Sequence, residues 1–278
     1  IAECHLPEPA LAERWPQLPP SPAGRRWILR CGTGGPPAAW QQGQSSPRAA
    51  TARSASVQPL GAAAPVARGR PAAGGRAGAD PAPVRFELAC GNFRVSPESF
   101  FQANTPMAAR LAEEVLRQVQ GGLPERARGA AVLDLYCGVG LFSSALAPHV
   151  GQVVGVELSP AAGADFRHNL RELDNARLLE GEVGEVLPRL ALRPEAAVAD
   201  PPRAGLGPAV VRALAALAPG LLVYVSCDPA TLARDARELD RQGYELRCIR
   251  LLDLFPQTYH LETLSVWSRP RSSAILLP

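Results

Sequence analysis

From residue 84 onward, short apolar runs alternate with helical stripes of apolar positions. "RFELACGNFRVSP" predicts two strands or a hairpin. "TPMAARLAEEVLRQV" carries apolar residues three and four apart behind Pro106 and predicts a helix. Strands are then predicted in "AAVLDLYC", "QVVGVEL", "NARLLEG", "AAVAD" and "LLVYVS". Helices are predicted between them in "LFSSALAPH", "SPAAGADFRHNLREL", "GPAVVRALAAL" and "DPATLARDARELDRQG". "YELRCIRLLDLF" and "HLETLSVWSR" predict a closing antiparallel pair. Strand–helix alternation of this kind predicts an α/β fold: a doubly wound, mostly parallel sheet with an antiparallel closing strand.

The pattern stops before residue 84. Residues 41–83 contain no aromatic residue and few large aliphatics, so they bury too little to offset chain entropy. They are expected to be a low-complexity flexible linker. Before it, "LAERW" predicts a short helix and "RRWILRCG" a strand, so residues 1–40 form a small structured remnant and residues 84–278 the main domain.

Composition adds little beyond this. Hydrophobic residues make up 46% of the 278, enough for a sizeable core, and net charge is only +3. All 29 basic residues are arginine; nine face four acids in residues 1–83, twenty face twenty-two in 84–278. Arginine grips phosphate in a planar fork, yet a surplus confined to the amino-terminal part also fits a solvated tail. Six cysteines without CxxC pairs form neither a zinc spacing nor a secreted disulfide frame. Reduced thiols and a cytoplasmic location are therefore expected, since no apolar run is long enough for a membrane span.

The chemistry-bearing residues fall at predicted strand ends. "VLDLYCGVGLF" puts Gly138 and Gly140 in the turn after a strand, where a bare backbone lets a nucleotide approach. A dinucleotide fingerprint would place a third glycine at position 143, which holds Ser143. Glu157 ends the next strand, nineteen residues after Gly138, where an acid accepts hydrogen bonds from ribose hydroxyls. The arrangement favours S-adenosylmethionine over a nicotinamide dinucleotide. "VADPPRAG" sets Asp200 on the same rim, followed by Arg203 on a proline-stiffened loop. Cys227 ends "LLVYVSC" just before a helix opened by Asp228 and Pro229, a position that lends a thiol thiolate character. His260 and Glu262 flank Leu261 at the start of the closing strand; if that strand lies beside the one bearing Cys227, Glu262 approaches the same cleft.

"FRVSPESFFQANTPMAARL", "LDLYCGVGLFSSALA", "VVGVELSP", "DPPRAGL", "YVSCDPATLARD" and "DLFPQTYHLETL", in this order, closely resemble the RNA uracil-C5 methyltransferases. The resemblance spans about residues 84–270 and implies a Rossmann-like, S-adenosylmethionine-dependent methyltransferase fold acting on ribosomal or transfer RNA. It implies Cys227 as nucleophile and Glu262 as base, with Gln102, Tyr136, Gly138, Glu157 and Asp200 at the cofactor. Leu141 stands where many members have Asn, and Asp228 where Asn is common, adding a negative charge beside the nucleophile. In cluster-bearing members the cysteine equivalent to Cys4 is the last of four iron–sulfur ligands. The other three, and the small RNA-binding barrel, would lie upstream, so no complete cluster is expected from this chain. Two other readings stay open: an RNA cytosine-C5 methyltransferase, and a catalytically weak RNA- or cofactor-binding module.

Overall fold

The computed structural model describes residues 26–30, 38–42, 82–123, 127–255 and 258–269. The helix expected at residues 11–15, Cys4 and nearly all of the 41–83 segment lie outside them. Strands β1 (Arg26–Arg30) and β2 (Ala38–Gln42) pair antiparallel. The second was not expected from the sequence and runs two residues into the 41–83 segment.

The hairpin expected in "RFELACGNFRVSP" is β3 (Val84–Leu88) and β4 (Gly91–Val95). Its inward residues, Phe86 and Phe93, pack on Phe101 at ring distances of 4.6 and 5.7 Å. Helix α1 (Thr105–Gly122) comes next. Asn104 caps it, its side-chain oxygen accepting the Met107 N–H at 3.2 Å, and Ala108, Leu111, Ala112, Val115 and Val119 form its buried stripe.

The main sheet takes β5 (Ala131–Leu135), β6 (Gln152–Glu157), β7 (Ala176–Glu180), β8 (Ala196–Ala199), β9 (Leu221–Ser226), β10 (Glu245–Leu252) and β11 (Glu262–Ser268). Their spatial order is β10-β11-β9-β8-β5-β6-β7. The chain leaves β5 for β6 and β7 on one side, then returns to place β8 and β9 on the other, all parallel. β11 inserts antiparallel between β9 and β10. Helices α2 (Leu141–Leu146), α3 (Pro160–Asn169), α4 (Val183–Val186), α5 (Gly207–Leu217) and α6 (Pro229–Arg241) make the connections. The four-residue α4 is too short for periodicity to predict.

Alternate residues of one strand feed opposite cores, as a sheet covered on both faces requires. Val132, Val198, Val223 and Leu264 meet α1, α2 and the hairpin, whereas Leu133, Ala197, Leu222 and Trp267 meet α5 and α6. The doubly wound, mostly parallel sheet with its antiparallel closing strand is the one expected. Ligands of such sheets bind beyond the carboxyl ends of the strands, where the winding reverses, here between β5 and β8.

Candidate functional site

A cavity of about 640 Å³ opens at that point. Each strand contributes residues at or just past its carboxyl end: Tyr136 after β5, Glu157 from β6, Glu182 after β7, Asp200 to Arg203 after β8, and Cys227 after β9. Because β11 runs the other way, it contributes its first residue, Glu262. Phe100 and Gln102 enter from the segment between the hairpin and α1.

The thiol and the carboxylate meet through sheet register. Thr263 lies opposite Ser226 in the antiparallel β11–β9 pair, and its hydroxyl donates to the Ser226 carbonyl at 3.0 Å. One step further along this register brings Glu262 opposite Cys227. Cys227 is half-buried rather than sealed in the core. Glu262 is only 3% exposed, and burial pushes its carboxyl up to about 7.

Asp200 is pushed well above the usual carboxylate range, by burial first and then by the charges of Glu262 and Asp134. The thiol is raised too, by burial, then by Glu262 and Asp200, while Arg203 pulls the other way. The thiolate character expected from the helix N-terminus is therefore outweighed. Asp228, expected to press on the nucleophile, is instead turned onto its own helix. Its Oδ1 accepts the N–H groups of Ala230 and Thr231 at 2.9 and 3.0 Å, which holds its carboxyl below the ordinary range.

Glu157 is fixed by two backbone donors, the Gly138 N–H at 2.9 Å and the Ser159 N–H at 2.7 Å. The two glycines of the turn differ in kind. Gly140 has φ +95° and a side chain there would meet Leu170 at 2.4 Å, so it serves packing. Gly138 has φ +54° with open space where a Cβ would stand. Tyr136 between strand and turn also takes a left-handed φ of 62°, rare for a bulky residue and typical of a functional site. Burial raises its hydroxyl to about 12, with Glu182 and Asp235 adding to the shift.

The residues expected at the reaction and the cofactor converge here: Cys227, Glu262, Gln102, Tyr136, Glu157 and Asp200 line the cavity, and Gly138 holds Glu157. Sequence reasoning passed over Phe100, Leu158 and Glu182. Phe100 was the hardest to find, because in the doublet Phe100-Phe101 only the three-dimensional packing decides that Phe101 is buried and Phe100 is 72% exposed. Arg203 donates to Nδ1 of His260 at 2.6 Å; a guanidinium only donates, so Nδ1 is the acceptor. The histidine is thus part of the cavity wall and not an isolated loop residue.

The family model described as tRNA (Uracil-5-)-methyltransferase matches residues 89–185 and 191–269. The chain belongs to this family. Among curated relatives, an uncharacterised RNA methyltransferase of Streptomyces coelicolor is 43% identical over 178 residues, covering 63% of this chain and 38% of that protein. The chain therefore spans less than half the length of this family relative. The crystal structure of Pyrococcus abyssi tRNA (uracil-54, C5)-methyltransferase in complex with S-adenosyl-L-homocysteine matches with TM-score 0.57 and 34% identity, over 66% of this chain and 44% of that one. The N-methyltransferase NodS of Bradyrhizobium japonicum, 15% identical with TM-score 0.51, covers 60% of this chain and 99% of its own and shares the fold alone. The family's methyltransferase fold is thus the one built here. No helix among the described residues is long and apolar enough to cross a membrane.

Proposed function

We propose that this chain is an S-adenosylmethionine-dependent RNA uridine C5-methyltransferase, forming 5-methyluridine in transfer or ribosomal RNA through a covalent bond from Cys227 to C6. The observation that carries this reading is Cys227 and Glu262 lining one cavity from the neighbouring ends of β9 and β11, at the switch point of a family methyltransferase fold.

The cavity fits the cofactor. Four acidic side chains (Glu157, Glu182, Asp200 and Glu262) line it against one guanidinium, and a bound sulfonium and ammonium would favour the ionised form of Asp200 and Glu262 that burial opposes. Glu157, held by two amides, is set to accept ribose hydroxyls, and the open space at Gly138 admits the nucleoside close to the backbone. Gln102, Tyr136 and Asp200 complete the contacts. When bound, the cofactor supplies an electrophilic methyl group.

The protein's part is to make uracil C5 nucleophilic and then to restore the ring. The target base leaves its stack to reach the rim of the sheet. The Cys227 thiol loses its proton to solvent and its sulfur bonds to C6, and the displaced π electrons spread over C5 and O4 as an enolate. Once C5 has gained the methyl group, Glu262 takes the C5 proton. That electron pair re-forms the C5–C6 double bond and the C6–sulfur bond breaks, returning the thiolate.

RNA containing 5-fluorouridine tests this, because fluorine at C5 leaves Glu262 no proton to take. Incubation with labelled cofactor is expected to trap a covalent protein–RNA adduct, absent in Cys227→Ala. On ordinary RNA, Glu262→Gln is expected to transfer the methyl group and then stall as an adduct. Failure of every uridine-containing RNA to give an adduct overturns the proposal, and reaction with cytosine alone makes the chain a cytosine enzyme.

A further inference from the structure

The mouth of the cavity carries a feature that the chemistry above leaves unused. Among the described tyrosines, Tyr136 lines the cavity, and Tyr224 and Tyr244 are buried with their hydroxyls donating to Asp235 and the Pro219 carbonyl. Tyr259 is 85% exposed. Its ring lies 4.3 Å from that of His260, and the Phe255 ring meets the imidazole edge-on at 5.7 Å. Phe255 and His260 belong to the cavity wall, so the three rings run from the lining to the outside.

The ledge is held in place. The Thr258 hydroxyl donates to the Phe255 carbonyl at 2.7 Å and accepts the His260 N–H at 3.2 Å, linking the two ring-bearing residues just before β11. Arg203 braces the imidazole. The charge around it also limits what can dock. Apart from Arg203, which His260 engages, the described residues of the lining offer an entering strand no cation for its phosphates, so the strand is best held here through an uncharged, flat group. Unstacked bases of single-stranded RNA are that group, and they stack on tyrosine and histidine rings whatever their sequence.

We propose that Tyr259, backed by His260, is a stacking ledge for the base adjoining the methylated uridine in the RNA strand. This rests on the RNA-methyltransferase reading above. Binding of the full chain to a fluorophore-labelled short oligoadenylate with one central uridine tests it, alongside the same strand lacking the base on either side of the uridine.

On the intact strand Tyr259→Ala is expected to weaken binding roughly five- to a hundredfold, with Tyr259→Phe within about twofold of wild type. On the abasic strand Tyr259→Ala should lose little more than wild type does. The salt dependence should be unchanged in every variant, since no charge is removed. Wild-type binding to both strands by Tyr259→Ala, or equal loss on both, overturns the ledge. If wild type forms 5-methyluridine and Tyr259→Ala matches it in binding, only the ledge falls. If the wild-type chain binds no such strand, the ledge and the RNA reading fall together.

Discussion

At the scale of single residues, the site works against its own stability. In the proposed mechanism Glu262 is ionised to take a proton, yet burial pushes it up to about 7. Under the proposed mechanism, turnover should fall about tenfold per unit as pH drops below about 7, a limb measurable in the pH profile of kcat. A profile flat down to the ordinary carboxylate range would contradict it. Stability runs the opposite way. A carboxyl whose folded pKa is raised stabilises the fold below its unfolded pKa, and this contribution is lost as pH rises through about 7. Glu262→Gln is therefore expected to raise Tm relative to wild type at alkaline pH and to leave it nearly unchanged near pH ~4. The glycines part in the same manner. Gly140→Ala collides with Leu170 and Phe166 and should lower Tm. Gly138→Ala meets no protein atom and carries only the backbone strain of φ +54°, about 1 kcal/mol, so it should lower cofactor affinity, read by calorimetry, more than it lowers Tm.

At the scale of elements, helices position the cavity loops through buried carboxylates. Asp235 on α6 is fully buried. Its Oδ2 accepts the Leu206 N–H at 2.8 Å and the Tyr224 hydroxyl at 2.9 Å; its Oδ1 accepts the Gly207 N–H at 3.1 Å and the Arg234 guanidinium. One side chain thereby ties α6 to β9 and to the loop that carries Asp200 and Arg203. Asp235→Ala leaves the Leu206 N–H and the Tyr224 hydroxyl buried without a partner, at about 3–5 kcal/mol. At this chain size Tm should fall by roughly 6–15 °C in a thermal melt, and a fall within 2 °C (about 1 kcal/mol) would deny the helix this role. Little of this was legible beforehand. In "ATLARDARELD" the pattern marks Asp235 as one acid among several on a helix, and only packing against Tyr224 makes it a hub.

At the scale of the whole molecule, the hairpin and the sheet share a second hub. Asp165 on α3 accepts the Ser96 N–H at 2.6 Å, the Ser96 hydroxyl at 2.8 Å and the Ser99 hydroxyl at 2.6 Å, with Arg94 nearby at 3.4 Å. These contacts hang the segment bearing Phe100 and Gln102 over the cavity. Asp165→Ala should strip hydrogen-exchange protection from β3 and β4 while the central strands β5, β8 and β9 stay protected. Equal loss across both would mean that the hairpin is not a separately anchored unit. Apart from β2 and the short α4, the sequence by itself determined the elements, their alternation and the rim positions of Glu157, Asp200 and Cys227, because periodicity and strand ends are local properties of a chain. Tertiary structure alone decided that β11 inserts beside β9 in the register that sets Glu262 against Cys227. It also decided that Phe100 and Tyr259 face outward and that carboxylates crowd the thiol. These depend on contacts between residues distant along the chain, and such contacts leave no mark in any short window of sequence.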